Sequence, residues 1–288
     1  MNGAALILAG GAGTRLRPLS TDEIPKQFVR LFEGRSLIEL TWNRAAQLVS
    51  PDAIYVSTNE RYAALCREHL PDLAESNLIT EPARRNNAPA IAVSCFVIEA
   101  ALGSDAIVAV LPSDHFIADE NEFLRVMRTA MDFASSSNQL VTIGIEPAAP
   151  ETGYGYLELG ASLGGEMIRL DRFIEKPSPE RAEELLQSGR YAWNAGIFVW
   201  RAGAFHRELM AAAPQIARAA AHIVSMEDAP MRAAIYEAMP SISIDYALME
   251  KSSQVAAIRG NFGWSDVGTF EALARAGVDV SAYWPPAQ

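Results

Sequence analysis

Apolar runs and helical periodicities alternate along the first half of the chain. Ala4–Leu8 is an unbroken apolar run that stops at glycines, and it reads as a buried strand. Ser36–Val49 places Leu37, Leu40, Ala45 and Leu48 on one helical stripe, and Ser36 with Glu39 forms a capping box. Ile54–Ser57 reads as a short strand, Glu60–His69 as a helix ended by Pro71, and Leu78–Thr80 as a strand. Ala90–Ala101 predicts an apolar helix, Ala106–Leu111 a fully buried strand, Glu120–Ser136 a helix and Leu140–Ile143 a strand. This alternation predicts an α/β fold with a parallel sheet covered on both faces. Ligands in such sheets sit beyond the carboxyl ends of the strands. Gly10–Arg15, Glu81–Pro89 and Pro112–His115 each follow a strand, so all three are expected on one rim.

The second half has a different texture. Thr152–Tyr156 is a glycine–aromatic loop, followed by strand-like runs through Ile174 and a helix near Glu180–Gln187. Trp193–Trp200 reads as loop, then strand. Ala204–Ala238 is alanine-rich helix interrupted at Pro214 and Pro230, and Ser243–Glu250 starts another helix. Phe262–Gly268 is a loop and Thr269–Ala276 a last helix. No repeat, linker or low-complexity stretch divides the chain, which predicts one continuous domain with two lobes.

Composition narrows the class. With 288 residues, half of them hydrophobic, the chain can bury a large core. A net charge of −11 without a basic block argues against nucleic acid as the main partner. Cys66 and Cys95 lack metal or redox spacing and read as buried thiols in a reducing compartment. No stretch approaches the ~20 apolar residues of a membrane span. The first apolar run has no basic residue before it, so it is expected to be a strand rather than a signal peptide. These features predict a cytoplasmic location.

The candidate chemistry starts at Gly10, Gly11 and Gly13. Glycines at a strand-to-helix turn expose backbone N–H groups and cradle anions. Arg15 adds a planar cation and Lys26, in Pro25–Phe28, a second one. The pattern is not a P-loop, because no Gly-Lys pair occurs, nor a dinucleotide fingerprint, because Leu16 takes the third glycine's place. The glycines alone also fit an ordinary turn; with the cations they predict a polyphosphate site. Asp114 follows a buried strand and Asp266 sits in a glycine-rich loop. Brought together beside phosphates, they would hold Mg²⁺; each alone would fit a turn cap. Asp245 is a weaker competitor, since it sits where a helix cap belongs. His115 reads as a neighbour of Asp114 rather than a base. Glu175 and Lys176 offer an anion and a cation side by side, which suits a phosphorylated sugar. Gly153 and Gly155 permit close approach to a sugar ring, and Asn194 is a two-way partner for hydroxyls. Trp193, Trp200 and Trp264 read as packing residues.

Jointly these stretches resemble the mannose-1-phosphate guanylyltransferases, or GDP-mannose pyrophosphorylases, within the sugar-nucleotidyltransferases. The matching segments are Leu8–Ser20, Pro25–Phe28, Glu81–Pro82 with Arg85–Asn86 and Ala88–Pro89, Leu111–His115, Thr152–Tyr156, Phe173–Pro177, Trp193–Phe198, Ile244–Ala247 and Gly263–Gly268. They run in family order over nearly the whole chain.

The resemblance implies a Rossmann-like nucleotidyltransferase fold, with a mainly parallel mixed sheet flanked by helices. It implies a nucleotide lobe over about residues 1–145, a sugar-phosphate lobe over about 146–268, and a short helix and tail from 269 to 288. GTP would lie on Leu8, Ala9, Gly10, Gly11, Gly13, Thr14, Arg15 and Lys26, with Glu81, Asn86, Asn87 and Pro89 near base and ribose. Mg²⁺ would sit on Asp114 and Asp266. Mannose 1-phosphate would sit on Gly153, Gly155, Glu175, Lys176 and Asn194. Arg15, Lys26 and Lys176 would be the catalytic cations. Asn87 stands where the family usually has threonine, and Thr269–Phe270 replaces a usual Ser-Trp. Longer members carry a cupin-type isomerase domain, and this chain is expected to be the short form. A homodimer is compatible with the sequence. The alternatives are a nucleotidyltransferase for another hexose 1-phosphate or nucleotide, and a non-catalytic nucleotide-sugar sensor.

Overall fold

The structure is a computed structural model that describes residues 2–11, 13 and 16–281. In chain order its first half contains β1 (Gly3–Leu8), β2 (Arg30–Phe32), β3 (Arg35–Ser36), α1 (Leu37–Ala45), β4 (Ile54–Asn59), α2 (Ala63–His69), β5 (Leu78–Glu81), α3 (Asn87–Leu102), β6 (Ile107–Pro112), β7 (Phe116–Ile117), α4 (Glu120–Ser136) and β8 (Leu140–Ile145). The second half adds β9 (Gly155–Gly164), β10 (Met167–Glu175), α5 (Pro179–Ser188), β11 (Tyr191–Arg201), α6 (Ala202–Ala212), α7 (Pro214–Ser225), α8 (Ala229–Ala238), β12 (Val255–Gly260), β13 (Trp264–Ser265) and α9 (Phe270–Arg275).

One nine-stranded sheet runs through the molecule in the order β5-β4-β1-β6-β11-β8-β12-β10-β9. β5, β4, β1 and β6 pair in parallel, as do β8 and β12. β11 inserts antiparallel between β6 and β8, and β10 runs antiparallel between β12 and β9. All strands except β10 and β11 therefore point the same way, and the sheet is the mixed one expected. The strand alternation of β1 feeds both faces: Ala4 and Leu6 enter a core with α3, α6 and α7, while Ala5 and Ile7 enter a core with α1, α2 and α4. Burial on both faces is why this strand reads as an unbroken apolar run.

Local departures from the sequence reading have identifiable causes. α3 begins at Asn87, three residues before the predicted start, because the Asn86 side chain accepts the Asn87 N–H (2.8 Å) and caps it. Asn86 does so at φ +62°, a conformation asparagine tolerates better than most residues. Trp193–Trp200 lies wholly in β11; its register breaks between Asn194 and Phe198, where Gly196 takes φ +66°. That irregularity looks like a loop in the sequence. Pro214 and Pro230 open α7 and α8, where a missing N–H costs nothing. Asp245–Met249 forms a wide, π-type helical turn rather than an ordinary helix start. Cys66 and Cys95 are buried in α2 and α3, and burial pushes their thiols up to about 11 and about 12. Among the described residues no helix is long and apolar enough to cross a membrane.

Candidate functional site

The loops after β1, β5 and β6 meet at a cleft of about 470 Å³. Leu8, Gly10 and Gly11 line it from the first, Glu81 and Arg84–Asn87 from the second, and Pro112, Asp114 and His115 from the third. The second half closes it with Gly153–Gly155, Glu175, Asn194–Gly196, Asp245, Trp264 and Asp266. The single rim expected from the strand order is thus assembled.

The glycine loop is shaped by side chains behind it. Gln27 donates to the carbonyls of Ala9 (3.0 Å) and Gly11 (2.9 Å), and Ser20 donates to that of Gly13. Gly13 adopts φ +59°, and a Cβ there would stand 2.7 Å from the Lys26 backbone nitrogen, so no larger residue fits. Lys26 lies in a tight turn behind the cleft wall, with only 5% of its side chain exposed. Its ammonium is 2.8 Å from Asp114 Oδ2 and donates to the Asp266 carbonyl at 2.5 Å. Ala9 is fully buried, with its N–H given to Ser57 and its carbonyl taken by Gln27 and Thr58. It supports the loop and does not line the cleft. Thr14 and Arg15 lie outside the described residues.

Asp114 and Asp266 both face the cleft, and three links join their loops. One is Lys26. Another is the short antiparallel ladder of β7 with β13, which pairs Phe116 with Ser265 and Ile117 with Trp264. The third is the Trp264 indole, which donates to His115 Nδ1 (3.1 Å). Burial is the largest single influence and opposes the charge on Asp114, but the charge and hydrogen bond of Lys26, the neighbouring His115 and a backbone hydrogen bond together hold the carboxyl below its usual range. Burial pushes the His115 imidazole down to about 4, so it is neutral at pH 7. Its Nε2 stands 4.0 Å from Asp114 Oδ1, consistent with a neighbour rather than a base. Tyr154 donates to Asp266 Oδ1 (2.9 Å), which gives the glycine–aromatic loop a positioning role. No cluster of three or more His, Cys, Asp or Glu forms a metal cage among the described residues. Two carboxylates beside a glycine turn fit a hard divalent cation that takes its other ligands from phosphate oxygens and water.

The far end of the cleft is polar. Gly155 opposes Glu175 across the β9–β10 ladder, and a Cβ on Gly155 would lie 2.6 Å from Glu175 Oε2. Lys176 reaches Glu175 Oε1 (2.9 Å) with 61% of its side chain exposed, and does not line the cavity. Asn194 accepts from Thr142 Oγ1 (2.9 Å) and the Gly196 N–H (3.2 Å), and donates to Asp245 Oδ1 (3.1 Å). Asp245 is therefore a lining carboxylate. Burial and the Glu175 charge push it up to about 6. The sequence reading underrated it because a Ser-x-Asp before a helix resembles a cap; its partner Asn194 is 51 residues away. Arg84 and Arg85 also line the cleft; neither was among the predicted site residues, although Arg85 belongs to one of the segments that carry the resemblance. Asn87 accepts the Ile244 N–H (2.7 Å), tying the loop after β5 to the Asp245 turn. Pro89 is buried in the first turn of α3, away from the lining.

A phosphate-type loop, an acidic pair and a polar pocket at the carboxyl rim of a mixed α/β sheet define a nucleotide-handling protein. The chain belongs to the nucleotidyl transferase family, whose profile matches residues 4–282. It is 39% identical over 93% of its length to a protein of Sinorhizobium fredii named mannose-1-phosphate guanylyltransferase, covering 53% of that protein. It is 37% identical to one of Escherichia coli with the same name, covering 93% of this chain and 58% of that one. A Thermus thermophilus crystal structure described as mannose-1-phosphate geranyltransferase superposes with TM-score 0.88 at 34% identity, covering 96% of this chain and 79% of that one. The chain thus spans somewhat more than half the length of these curated relatives. Members of this family generally use a divalent metal.

Proposed function

We propose that this chain transfers GMP from GTP to α-D-mannose 1-phosphate, giving GDP-mannose and pyrophosphate. The observation that carries this reading is the joining of Asp114 and Asp266, between the glycine loop and the Glu175–Asn194–Asp245 pocket, in one cavity. Residues 1–145 would form the nucleotide lobe and 146–268 the sugar-phosphate lobe. A phosphate oxygen of the sugar attacks the α-phosphorus of GTP in line; the new P–O bond forms as the bond to the β-phosphate oxygen breaks, and pyrophosphate leaves. The attacking phosphate is largely dianionic at pH 7, since a second phosphate pKa is about 6, so no general base is required. Neutral His115 agrees with that. Asp114 and Asp266 would hold Mg²⁺, which when bound neutralises charge on the reacting phosphates. The glycine loop orients the polyphosphate, Lys176 meets the sugar phosphate, and Glu175, Asn194 and Asp245 take the sugar hydroxyls.

Pyrophosphate release with Mg²⁺ tests this, using GTP, ATP, UTP and CTP against mannose 1-phosphate and glucose 1-phosphate. Release mainly with GTP and mannose 1-phosphate is expected. A different preferred pair would overturn the substrates, and binding without release would favour the sensor.

Asp245 gives a pH signature. Its folded pKa of about 6 exceeds the ordinary aspartate value, so the buried site favours the neutral form. Its contribution to stability is complete below the unfolded pKa and is lost as pH rises through 6. Asp245→Asn is therefore expected to melt above the wild type at pH 8 and level with it at pH 4. Only the ionised acid accepts hydroxyls on both oxygens. Below pH 6 the wild-type kcat/KM for the sugar should fall with two protonations, one on the substrate phosphate and one on Asp245. Asp245→Asn should show a lower plateau and only the substrate's protonation. Identical limbs in the two proteins would remove Asp245 from the sugar site.

A further inference from the structure

Glu81 ends β5 and lines the cleft, yet it is 8% exposed. Its carboxylate is gripped from two sides. Ser57 Oγ donates to Oε1 (3.0 Å) and the Tyr236 hydroxyl donates to Oε2 (2.7 Å). Gly10 packs so close that a Cβ there would stand 3.2 Å from Oε1. The acid is thus fixed in place beside the glycine loop.

Tyr236 arrives from far away in the chain. It sits on α8, 155 residues after Glu81, and is the buried residue of that helix. The rest of α8 is exposed or half-buried. A phenylalanine would anchor the helix by packing alone, whereas burying a hydroxyl on a carboxylate takes two polar groups out of water. Burial and the Glu81 charge push the Tyr236 phenol far up, so it remains a donor. Both partners therefore give hydrogens to Glu81, and the acid has acceptor capacity left over on each oxygen.

We infer that Tyr236 is a positioning residue for nucleobase selection: with Ser57 it fixes the Glu81 carboxylate as a double acceptor for two adjacent N–H donors on the edge of the base. This rests on the nucleotidyl-transfer reading above and extends it to a residue outside every motif in the chain. Among the common bases, guanine presents adjacent donors, N1–H and N2–H₂, on one edge. Adenine sets an acceptor N1 beside its amine, cytosine sets an acceptor N3 beside its amine, and uracil flanks N3–H with carbonyls. A carboxylate that cannot turn away repels those acceptors, so its fixation supplies discrimination as well as affinity.

The test is titration calorimetry with Mg²⁺ and no sugar phosphate, on the wild type, Tyr236→Phe and Ser57→Ala. The ligands are GTP, ITP, which lacks the N2 amine, and ATP. The wild type is expected to bind GTP about tenfold more tightly than ITP, the scale of one hydrogen bond to a charged group. Tyr236→Phe should lose about tenfold for GTP and little for ITP, collapsing the ratio, with melting within a few degrees of wild type. Ser57→Ala frees the same carboxylate to rotate off both donors, so it should also lower the GTP-to-ITP ratio, with some loss for ITP through the shared N1–H, and it carries the test if the tyrosine variant does not fold. An unchanged GTP-to-ITP ratio in the variants overturns the inference. So does an equal loss for all three nucleotides, which would mean a structural role alone, and so does a wild type without preference for GTP. Selective GTP binding that collapses in the variants, in a protein that releases no pyrophosphate, would sink the transfer reading and leave this role standing.

Discussion

Asp266→Asn is expected to lower turnover about 10²–10³-fold, the usual cost of removing one preorganised group from a charge-stabilising site, while the protein stays folded. Asparagine keeps the shape and one oxygen, so the hydrogen bonds from Tyr154 (2.9 Å) and the Gly268 N–H (3.2 Å) to Oδ1 survive. The Asp266 carbonyl that accepts from Lys26 belongs to the main chain and is untouched. What disappears is one negative charge facing the cleft. The Mg²⁺ concentration for half-maximal rate should rise, and saturating Mg²⁺ should restore only part of the rate. Asp114→Asn is the informative contrast. It removes the countercharge of a buried ammonium 2.8 Å away, so it should lose heat stability as well as rate. Turnover within tenfold of wild type for Asp266→Asn at saturating Mg²⁺ would exclude that carboxylate from the reaction.

That contrast also marks what the sequence makes legible. The strands, their flanking helices and the rim on which three loops gather follow from apolar runs, caps and the alternation of periodicities. Ser36 with Glu39 caps α1 as its spacing predicts, with the Ser36 N–H 2.7 Å from Glu39 Oε2. Asp114 and Asp266 were legible as candidates because each lies in a loop beside glycine or a strand end. Contacts that depend on sheet order were not legible. β11 separates β6 from β8, although β6 and β8 are the neighbouring strands in sequence apart from the two-residue β7. That insertion brings Asn194 into the cleft beside Asp245. No local pattern encodes it. Lys26 likewise looked like a second phosphate cation by type, and its partner 240 residues away could not be read from its surroundings.

Lys26→Met should therefore be costly before any nucleotide arrives. In the folded protein the ammonium is buried, pairs with Asp114 and holds the Asp266 carbonyl. Methionine fills nearly the same space and removes the charge. Breaking a buried ion pair by deleting one partner typically costs about 3–5 kcal/mol. Because Asp114 is partly exposed (36%), the lower end of that range or less applies here. The two carboxylates would then repel without the ammonium between them, and only the β7–β13 ladder and the Trp264–His115 hydrogen bond would still join their loops. Added Mg²⁺ binds the folded form, so it should raise the melting temperature of Lys26→Met more than that of the wild type. Turnover should fall at least as far as for Asp266→Asn, about 10²–10³-fold, since both the charge balance and the spacing of the acidic loops depend on this residue. A Lys26 that served only as a contact for bound phosphate would leave the nucleotide-free variant as heat-stable as the wild type at every Mg²⁺ concentration. Melting curves without nucleotide, taken across a Mg²⁺ series, separate the two roles: a link between the loops destabilises the empty protein, and a phosphate contact does not.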